Sequence, residues 1–476
     1  MKWSFILLLF LFGFTHAQSI MFQKVYGGAG SDWGASVQQT SDMGYILTGY
    51  GTSFSSSDDI YLIKTDVNGD TLWTRVLGSP ATSEQAGSVQ QTADGGFVMV
   101  GGYLNGGYGD VYLLKTNSNG IIQWTKVYIN PNKSEGGTSV KQTTDGGYII
   151  AGGSEDNGGD VYVIKTNPNG DTTWTKNYGG TDVETGSSIQ QTNDGGYIVA
   201  GYTRSFGAGL EDVYLIKTDS NGDTVWTKTY GGSNYDKGYS VQKIISGGYI
   251  IVGTTKSFGP ANNNVYLIKT DSNGDTLWTK IIGNGINAFG LSGQPTTDGG
   301  YIITGGMSPS GYNNAYLVKT DSNGDTLWTK TYGGTRTEEG HCVQQTADGG
   351  YILAGISDSY PLFDLNIYLV KTDSLGNTSG PPVGVWEQQE AVVVAGEITI
   401  YPNPFSTQGN LLLPQEINLN ENPQLIIYDM YGNETTRVQI TSYRALIARD
   451  NLASGMYFCK VLANNTVVAT GKFIVQ

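Results

Sequence analysis

Asp212-Val-Tyr-Leu-Ile-Lys-Thr-Asp-Ser-Asn-Gly-Asp-Thr-Val-Trp-Thr-Lys-Thr-Tyr-Gly-Gly232 reads as two short strands joined by a tight turn. Tyr, Ile, Val, Thr and Trp suit a pleated, half-buried surface, and Asn-Gly supplies the positive φ of a hairpin turn. Just upstream, Ser188-Ile-Gln-Gln-Thr192 and Tyr197-Ile-Val-Ala-Gly201 flank a second turn, Asn193-Asp-Gly-Gly196. No stretch keeps a 3.6-residue apolar period long enough for a helix. Residues 187–232 therefore form a four-stranded antiparallel meander.

The meander recurs. Tyr-Leu-Ile-Lys-Thr, or a close variant, begins at Tyr61, Tyr112, Tyr162, Tyr214, Tyr266, Tyr316 and Tyr368, at spacings of 51, 50, 52, 52, 50 and 52 residues. Units of that length bury their apolar faces by stacking on neighbours. Four strands repeated seven times predict an all-β chain whose residues 18–376 form a seven-bladed β-propeller. The seventh repeat lacks the Trp-Thr-Lys-x-Tyr-Gly-Gly strand, while Phe22-Gln-Lys-Val-Tyr-Gly-Gly28 has its pattern. Residues 21–28 are thus expected to close the last blade and leave no open end.

The blades resemble those of quinoprotein-like and kelch-like seven-bladed propellers. Gly-Asp-Thr-x-Trp after a hairpin turn is similar to the tryptophan-docking motif of the former, and more loosely to the Asp-box of sialidases. The spacing here is one residue shorter than either, so no activity carries over. Trp73, Trp124, Trp174, Trp226, Trp278 and Trp328 read as packing devices between blades.

Lys2 and the apolar run 5–14, followed by Thr-His-Ala17, read as a secretory signal peptide over residues 1–17, too short to span a bilayer. The net charge of −15 argues against nucleic acid and anionic membranes, which reward Lys/Arg clusters. Cys342 and Cys459 fall in separate expected domains, so a disulfide between them is not expected.

Residues 377–397 read as a linker, beginning Asn-Thr-Ser-Gly-Pro-Pro. Residues 398–476 alternate short strands with polar turns, as an Ig-like β-sandwich does. They contain Tyr401-Pro402-Asn403-Pro404, Tyr428-Asp429-Met-Tyr-Gly432 and Leu-Ala-Ser-Gly455-Met-Tyr457. That order of motifs closely resembles the type A sorting domain of the type IX secretion system of Bacteroidota. The resemblance implies the type IX machinery and its C-terminal signal peptidase as partners. It also implies transport across the outer membrane, removal of the domain, and release or attachment to the cell surface.

Sites of chemistry are sparse. Beyond the leader the sole histidine is His341, and neighbours on a strand point to opposite faces, so His341 and Cys342 make no dyad. The loops 219–223, 271–275 and 321–325 read as hairpin turns rather than calcium loops, since Gly falls at their fourth position. Asp32, Glu84, Glu135, Glu184, Asp236 and Glu338 recur blade after blade, with Ala288 the exception. Asp59, Asp110, Asp160, Asp212, Asn264, Asn314 and Asn366 recur before the repeating Tyr. The first set could ring a cation such as structural calcium. A feature of nearly every blade more readily serves what every blade needs, namely partners for buried backbone groups. No other cofactor is expected.

Both tight turns of the meander fall on one side of the disc and the two longer connections on the other. The longer ones vary, and Phe54, Tyr108, Phe206, Phe258, Phe289, Tyr312 and Tyr360 could build a glycan- or protein-binding face there. Blade six departs furthest from the repeat, with Ala288, Phe289 and Pro295. The expectation is a monomeric, secreted or surface-held, non-catalytic binding or structural module. The rival is an extracellular carbohydrate-active hydrolase or lyase, which would set unlike polar residues around the channel mouth.

Overall fold

A computed structural model describes residues 20–53, 57–78, 82–104, 109–129, 133–154, 158–260, 262–283, 285–309, 311–360, 364–386, 396–414, 417–429, 434–449, 452–463 and 466–476. The expected leader, Phe54, Tyr108 and Gly432 lie outside them. Apart from one short 3-10 turn, Leu419–Glu421, the described elements are strands.

Seven blades follow the repeat. Blade one is Asp32–Gln39, Tyr45–Gly51, Asp59–Thr65 and Thr71–Leu77, and blade four is Glu184–Gln191, Tyr197–Thr203, Asp212–Thr218 and Thr224–Tyr230. The inner strands of the others are Ser83–Gln91, Glu135–Gln142, Asp236–Lys243, Asn287–Pro295 and Glu338–Gln345. Blade seven takes its fourth strand from the start of the chain. Phe22–Gly27 runs antiparallel to Asn366–Thr372, with Val25 opposite Tyr368. Part of the expected linker also joins this sheet. Val383–Trp386 pairs parallel with Phe22–Gly27 and covers what would be an open strand edge. Thr378 Oγ1 donates to Phe22 O at 3.1 Å, and Gln23 Nε2 to Gly380 O at 2.7 Å.

Seams between blades repeat a few devices. Each outer-strand aromatic lies under the next blade's turn glycine, so a Cβ at Gly222 would meet the Trp174 ring at 2.9 Å. Phe22 takes that place against Gly69, at 2.7 Å. Trp174 also packs against Tyr197, ring centroids 5.8 Å apart. These tryptophans stay half-buried, so the deep core falls to Ile, Val, Leu and Tyr side chains bridging adjacent sheets. On the tight-turn side glutamines tie blade to blade: Gln38 Oε1 accepts Gln91 N at 2.6 Å, and Gln344 Oε1 accepts Gln39 N at 2.7 Å.

The lysine of Tyr-Leu-Ile-Lys-Thr reaches the aspartate of Asp-Gly-Gly, as in Lys217–Asp194 at 2.8 Å. Against a desolvation that would raise it, hydrogen bonds from Lys217 and Thr192 hold the Asp194 carboxyl at about 2. The first glycine of that turn has positive φ, 82° at Gly195. Blade one instead places Met43 there, at φ 70°, with its side chain exposed. Met43→Gly is expected to stabilise the protein by about 0.5–1 kcal/mol, the left-handed cost less the added freedom of the unfolded chain. Denaturant unfolding measures this, and an unchanged midpoint counts against it.

The C-terminal residues form their own two sheets. A five-stranded sheet orders Gly396–Glu397, Thr466–Val475, Gly455–Ala463, Gln424–Tyr428 and Glu434–Gln439. A three-stranded sheet orders Thr399–Tyr401, Gln408–Leu412 and Arg444–Ala448. Phe405, Leu411, Ile427, Tyr457, Val461 and Phe473 centre their core. Asn403 of Tyr-Pro-Asn-Pro accepts Ile474 N at 2.9 Å, and Tyr457 OH donates to Ala453 O at 2.9 Å. The motifs therefore hold strand ends together, the second in the manner of a tyrosine corner.

Candidate functional site at the channel mouth

Every inner strand carries one β-bulge, between Gly34 and Ser36 in blade one and between Gly340 and Cys342 in blade seven. The same slip recurs at Ala86/Ser88, Gly137/Ser139, Gly186/Ser188, Gly238/Ser240 and Gly290/Ser292. A bulge re-aims a side chain, here toward the central channel. The bulged residues are Ala35, Gly87, Thr138, Ser187, Tyr239, Leu291 and His341. Two positions earlier stand Trp33, Gln85, Gly136, Thr185, Lys237, Phe289 and Glu339. Blades three and four thus present only Gly, Thr and Ser and blade two Gln85 with Gly87, whereas blades five, six and seven present large or charged side chains and blade one Trp33 beside Ala35.

These residues bound two cavities of about 710 and 760 Å³. Both include Tyr239, Leu291 and His341, so they are halves of one mouth. The first is lined by Trp33, Lys237, Phe289 and Glu339, with Arg204, Glu211, Tyr235, Lys256 and Asn263 from the longer connections. The mouth therefore opens on the long-connection face.

Its walls are pinned. Trp33 stacks with His341 at 5.1 Å and with Tyr50 at 6.3 Å. His341 Nδ1 lies 2.7 Å from Gly34 O, bridging blades seven and one, and Nε2 lies 3.4 Å from Glu339 Oε2. Burial pushes the Glu339 carboxyl up, but hydrogen bonds from His341 and from Asn313, at 2.6 Å, carry it below the ordinary range. Glu211, 2% exposed, accepts Arg204 Nη2 at 2.7 Å and pairs with Lys237 at 2.8 Å. Burial would lower the Lys237 pKa, yet the Glu211 partnership keeps it above the usual lysine value. Lys237 also sits 4.4 Å from the Tyr202 ring.

Apart from Glu135, which also borders the second cavity, the recurring acids lie outside the mouth. Asp32, Glu84, Glu135, Glu184, Asp236 and Glu338 are buried at the start of each inner strand, at the seams. Glu184 accepts Gly180 N at 2.7 Å and Thr203 Oγ1 at 2.5 Å, and Asp236 accepts Gly232 N at 2.8 Å and Ser257 Oγ at 2.5 Å. Asp32, Glu184, Asp236 and Glu338 thus clamp the Gly-Gly loop entering their blade, whereas no Gly-Gly precedes Glu84 or Glu135, and Glu84 accepts Thr82 Oγ1 at 2.5 Å. Burial pushes Asp32 up to about 6 despite hydrogen bonds from Ser53 and Gly28. Asp212 and Asn264 cap the long connection of their own blades, accepting Ala208 N at 2.7 Å and donating to Asn262 O at 2.8 Å respectively. Among the described residues no three His, Cys, Asp or Glu side chains gather as a metal site.

Phe289 alone of the described aromatic candidates lines the first cavity. Phe206 packs on Tyr214 and Phe258 on Tyr266, each with centroids 5.7 Å apart. Tyr360 packs into the blade-seven core, and Tyr312 is exposed. Reading the chain by its loops missed Trp33, Lys237, Tyr239, Leu291, Glu339 and His341. Their signal was present in the repeat: they flank a recurring Gly inside otherwise uniform strands. His341 faces the mouth while Cys342 Sγ lies 3.5 Å from Val37 O within the seam. Burial in the second domain's core pushes the Cys459 thiol up to about 12.

Comparison with solved structures gives a similarity to the extracellular domain of a hybrid two component system of B. thetaiotaomicron, at TM-score 0.43 and 11% identity. It covers 94% of this chain and 57% of that one, so the chain spans little more than half that protein domain's length. The Neurospora crassa Pan2 WD40 domain aligns at TM-score 0.46 and 10% identity, over 74% of this chain and 92% of that one. PorZ, a surface component of the type-IX secretion system of Porphyromonas gingivalis, aligns at TM-score 0.35 and 12% identity, over 95% and 70%. No curated protein matches the sequence. No helix among the described residues is long and apolar enough to cross a membrane. Residues 399–476 match the model of the secretion system C-terminal sorting domain. The chain joins a seven-bladed β-propeller to a secretion system sorting domain, and it is a secreted or outer-membrane surface protein.

Proposed function

We propose that the propeller is a non-catalytic binding module whose ligand enters the channel mouth on the long-connection face. One observation carries this: seven inner strands of nearly uniform sequence diverge at the channel-facing positions, from Gly136 and Thr138 to Trp33, Phe289 and His341. A scaffold repeating itself for stability acquires a ligand site where the repeat breaks. The cavity size is that of a small-molecule site, with aromatic walls and a few fixed polar groups.

The same asymmetry gives the enzyme reading its support, since Glu211 and Glu339 both line the cavity. Their surroundings favour binding. Glu211 is shared by two cations, and Glu339 is held below the ordinary carboxyl range, whereas glycoside hydrolysis needs one carboxyl kept protonated. The test is a glycan and small-molecule screen on the mature protein, repeated with Trp33→Ala and Phe289→Ala. Each substitution is expected to weaken the ligand found by about tenfold or more, as buried aromatic contacts do. Binding that survives both but is lost on replacing Lys141 or Lys243, on the tight-turn side, puts the site on the opposite face. Turnover of any bound glycan favours the enzyme.

A further inference from the structure

We propose that the channel mouth takes an acidic saccharide, its pyranose ring against Phe289 and its carboxylate toward Lys256 and Arg204. This rests on the mouth being the ligand site and names the class of ligand.

Charge points first. The chain carries −15 overall, yet the first cavity is bordered by Arg204, Lys237 and Lys256 against Glu211 and Glu339. Arg204 and Lys237 hold one carboxylate between them, that of Glu211. Lys256 has no carboxylate within ion-pair distance among the described residues, and its ammonium sits 5.5 Å from the Tyr235 ring. A wall with surplus positive charge on an acidic protein attracts and orients an anion.

Shape points to a ring with two kinds of surface. Phe289 lies against the backbone of its neighbouring strand, where a Cβ at Gly306 would fall 2.4 Å from the ring. Main chain thus backs the ring on one side while the cavity borders the other. The same cavity is lined by residues with hydrogen-bonding groups: Thr254, Asn263, Tyr239 and Glu339. Sugars present a flat C–H face and a girdle of hydroxyls, which a lining of aromatic and hydrogen-bonding residues can meet.

Calorimetry on the mature protein tests the inference with oligomers of galacturonate, glucuronate and mannuronate against galactose, glucose and mannose oligomers of equal length. At least one acidic series should bind about tenfold or more tightly than its neutral counterpart, the scale of a hydrogen bond to a charged group. Lys256→Gln and Arg204→Gln should erase that preference, while Phe289→Ala weakens acidic and neutral forms alike. Equal binding of both forms, a preference that survives both charge substitutions, or no binding of any acidic series overturns the inference. An uncharged ligand lost on Phe289→Ala sinks this inference and leaves the binding module standing. A ligand untouched by Trp33→Ala and Phe289→Ala sinks the mouth as the ligand site, and this inference with it.

Discussion

Deleting residues 22–27 leaves a propeller that melts far below the parent or aggregates. The strand contributes Phe22, Val25 and Tyr26, all nearly inaccessible to solvent, to two cores on either side of blade seven. Burying three such side chains is worth about 5–8 kcal/mol. A whole domain has a net stability of about 5–15 kcal/mol, so little would remain. Tyr26 also donates from its hydroxyl to Gly69 O at 2.6 Å, locking blade seven to the turn of blade one. Loss of the strand further uncovers the edge of Asn366–Thr372 and strips Val383–Trp386 of its partner. Thermal melting with size-exclusion chromatography checks this, and Tyr26→Ala serves as a gentler version with a smaller drop in the same direction. A truncated protein that stays monomeric and melts like the parent would show that the ring does not depend on this closure.

Much of this was legible because a repeated scaffold writes its rules seven times. The hairpin turns, the inter-blade tryptophans and the N-terminal strand all follow from local pattern: Asn-Gly before Thr-x-Trp, and Phe22 in register with the tryptophans. Deviations were legible too, once each rule had a partner. Blade five reads Ile244-Ile-Ser-Gly-Gly248 where other blades carry Asp, and there Lys269 lies over the Trp278 and Tyr301 rings instead of an aspartate. The mouth was harder to read for a physical reason. Alternation along a strand predicts facing only while the register holds, and each inner strand slips by one residue at its bulge. That slip sends His341 and Tyr239 to the channel and leaves the adjoining Cys342 and Ser240 in the seams. The recurrent carboxylates drew attention for their charge. At Asp32, Glu184, Asp236 and Glu338 they accept an amide of the Gly-Gly loop entering the blade, and a backbone donor at a seam needs such a partner.

Removing residues 396–476 is expected to trap a folded propeller inside the cell envelope, with none in the medium or at the surface. The two sheets of this region share no strand with the blades, and its core of Phe405, Leu411, Ile427, Tyr457 and Phe473 is its own. The propeller therefore keeps its packing, and its melting temperature should barely move, while the element the secretion machinery reads is gone. Phe473→Ala gives a version without truncation. It breaks the stacked row in which Phe473 sits 5.5 Å from Phe405 and 5.4 Å from Tyr457, at a cost of about 3–5 kcal/mol. A sandwich so weakened should lose export in step with its own stability. Processing follows from the same geometry. Cleavage before Val383 would remove the strand that covers the N-terminal edge of blade seven, and cleavage beyond Gly396 would cut the sandwich's first strand, Gly396–Glu397. Mass spectrometry of extracellular protein should thus place the mature C-terminus beyond Trp386 and before Gly396. An extracellular product that keeps the intact sandwich, or normal export without it, would make the domain an ordinary module rather than an address.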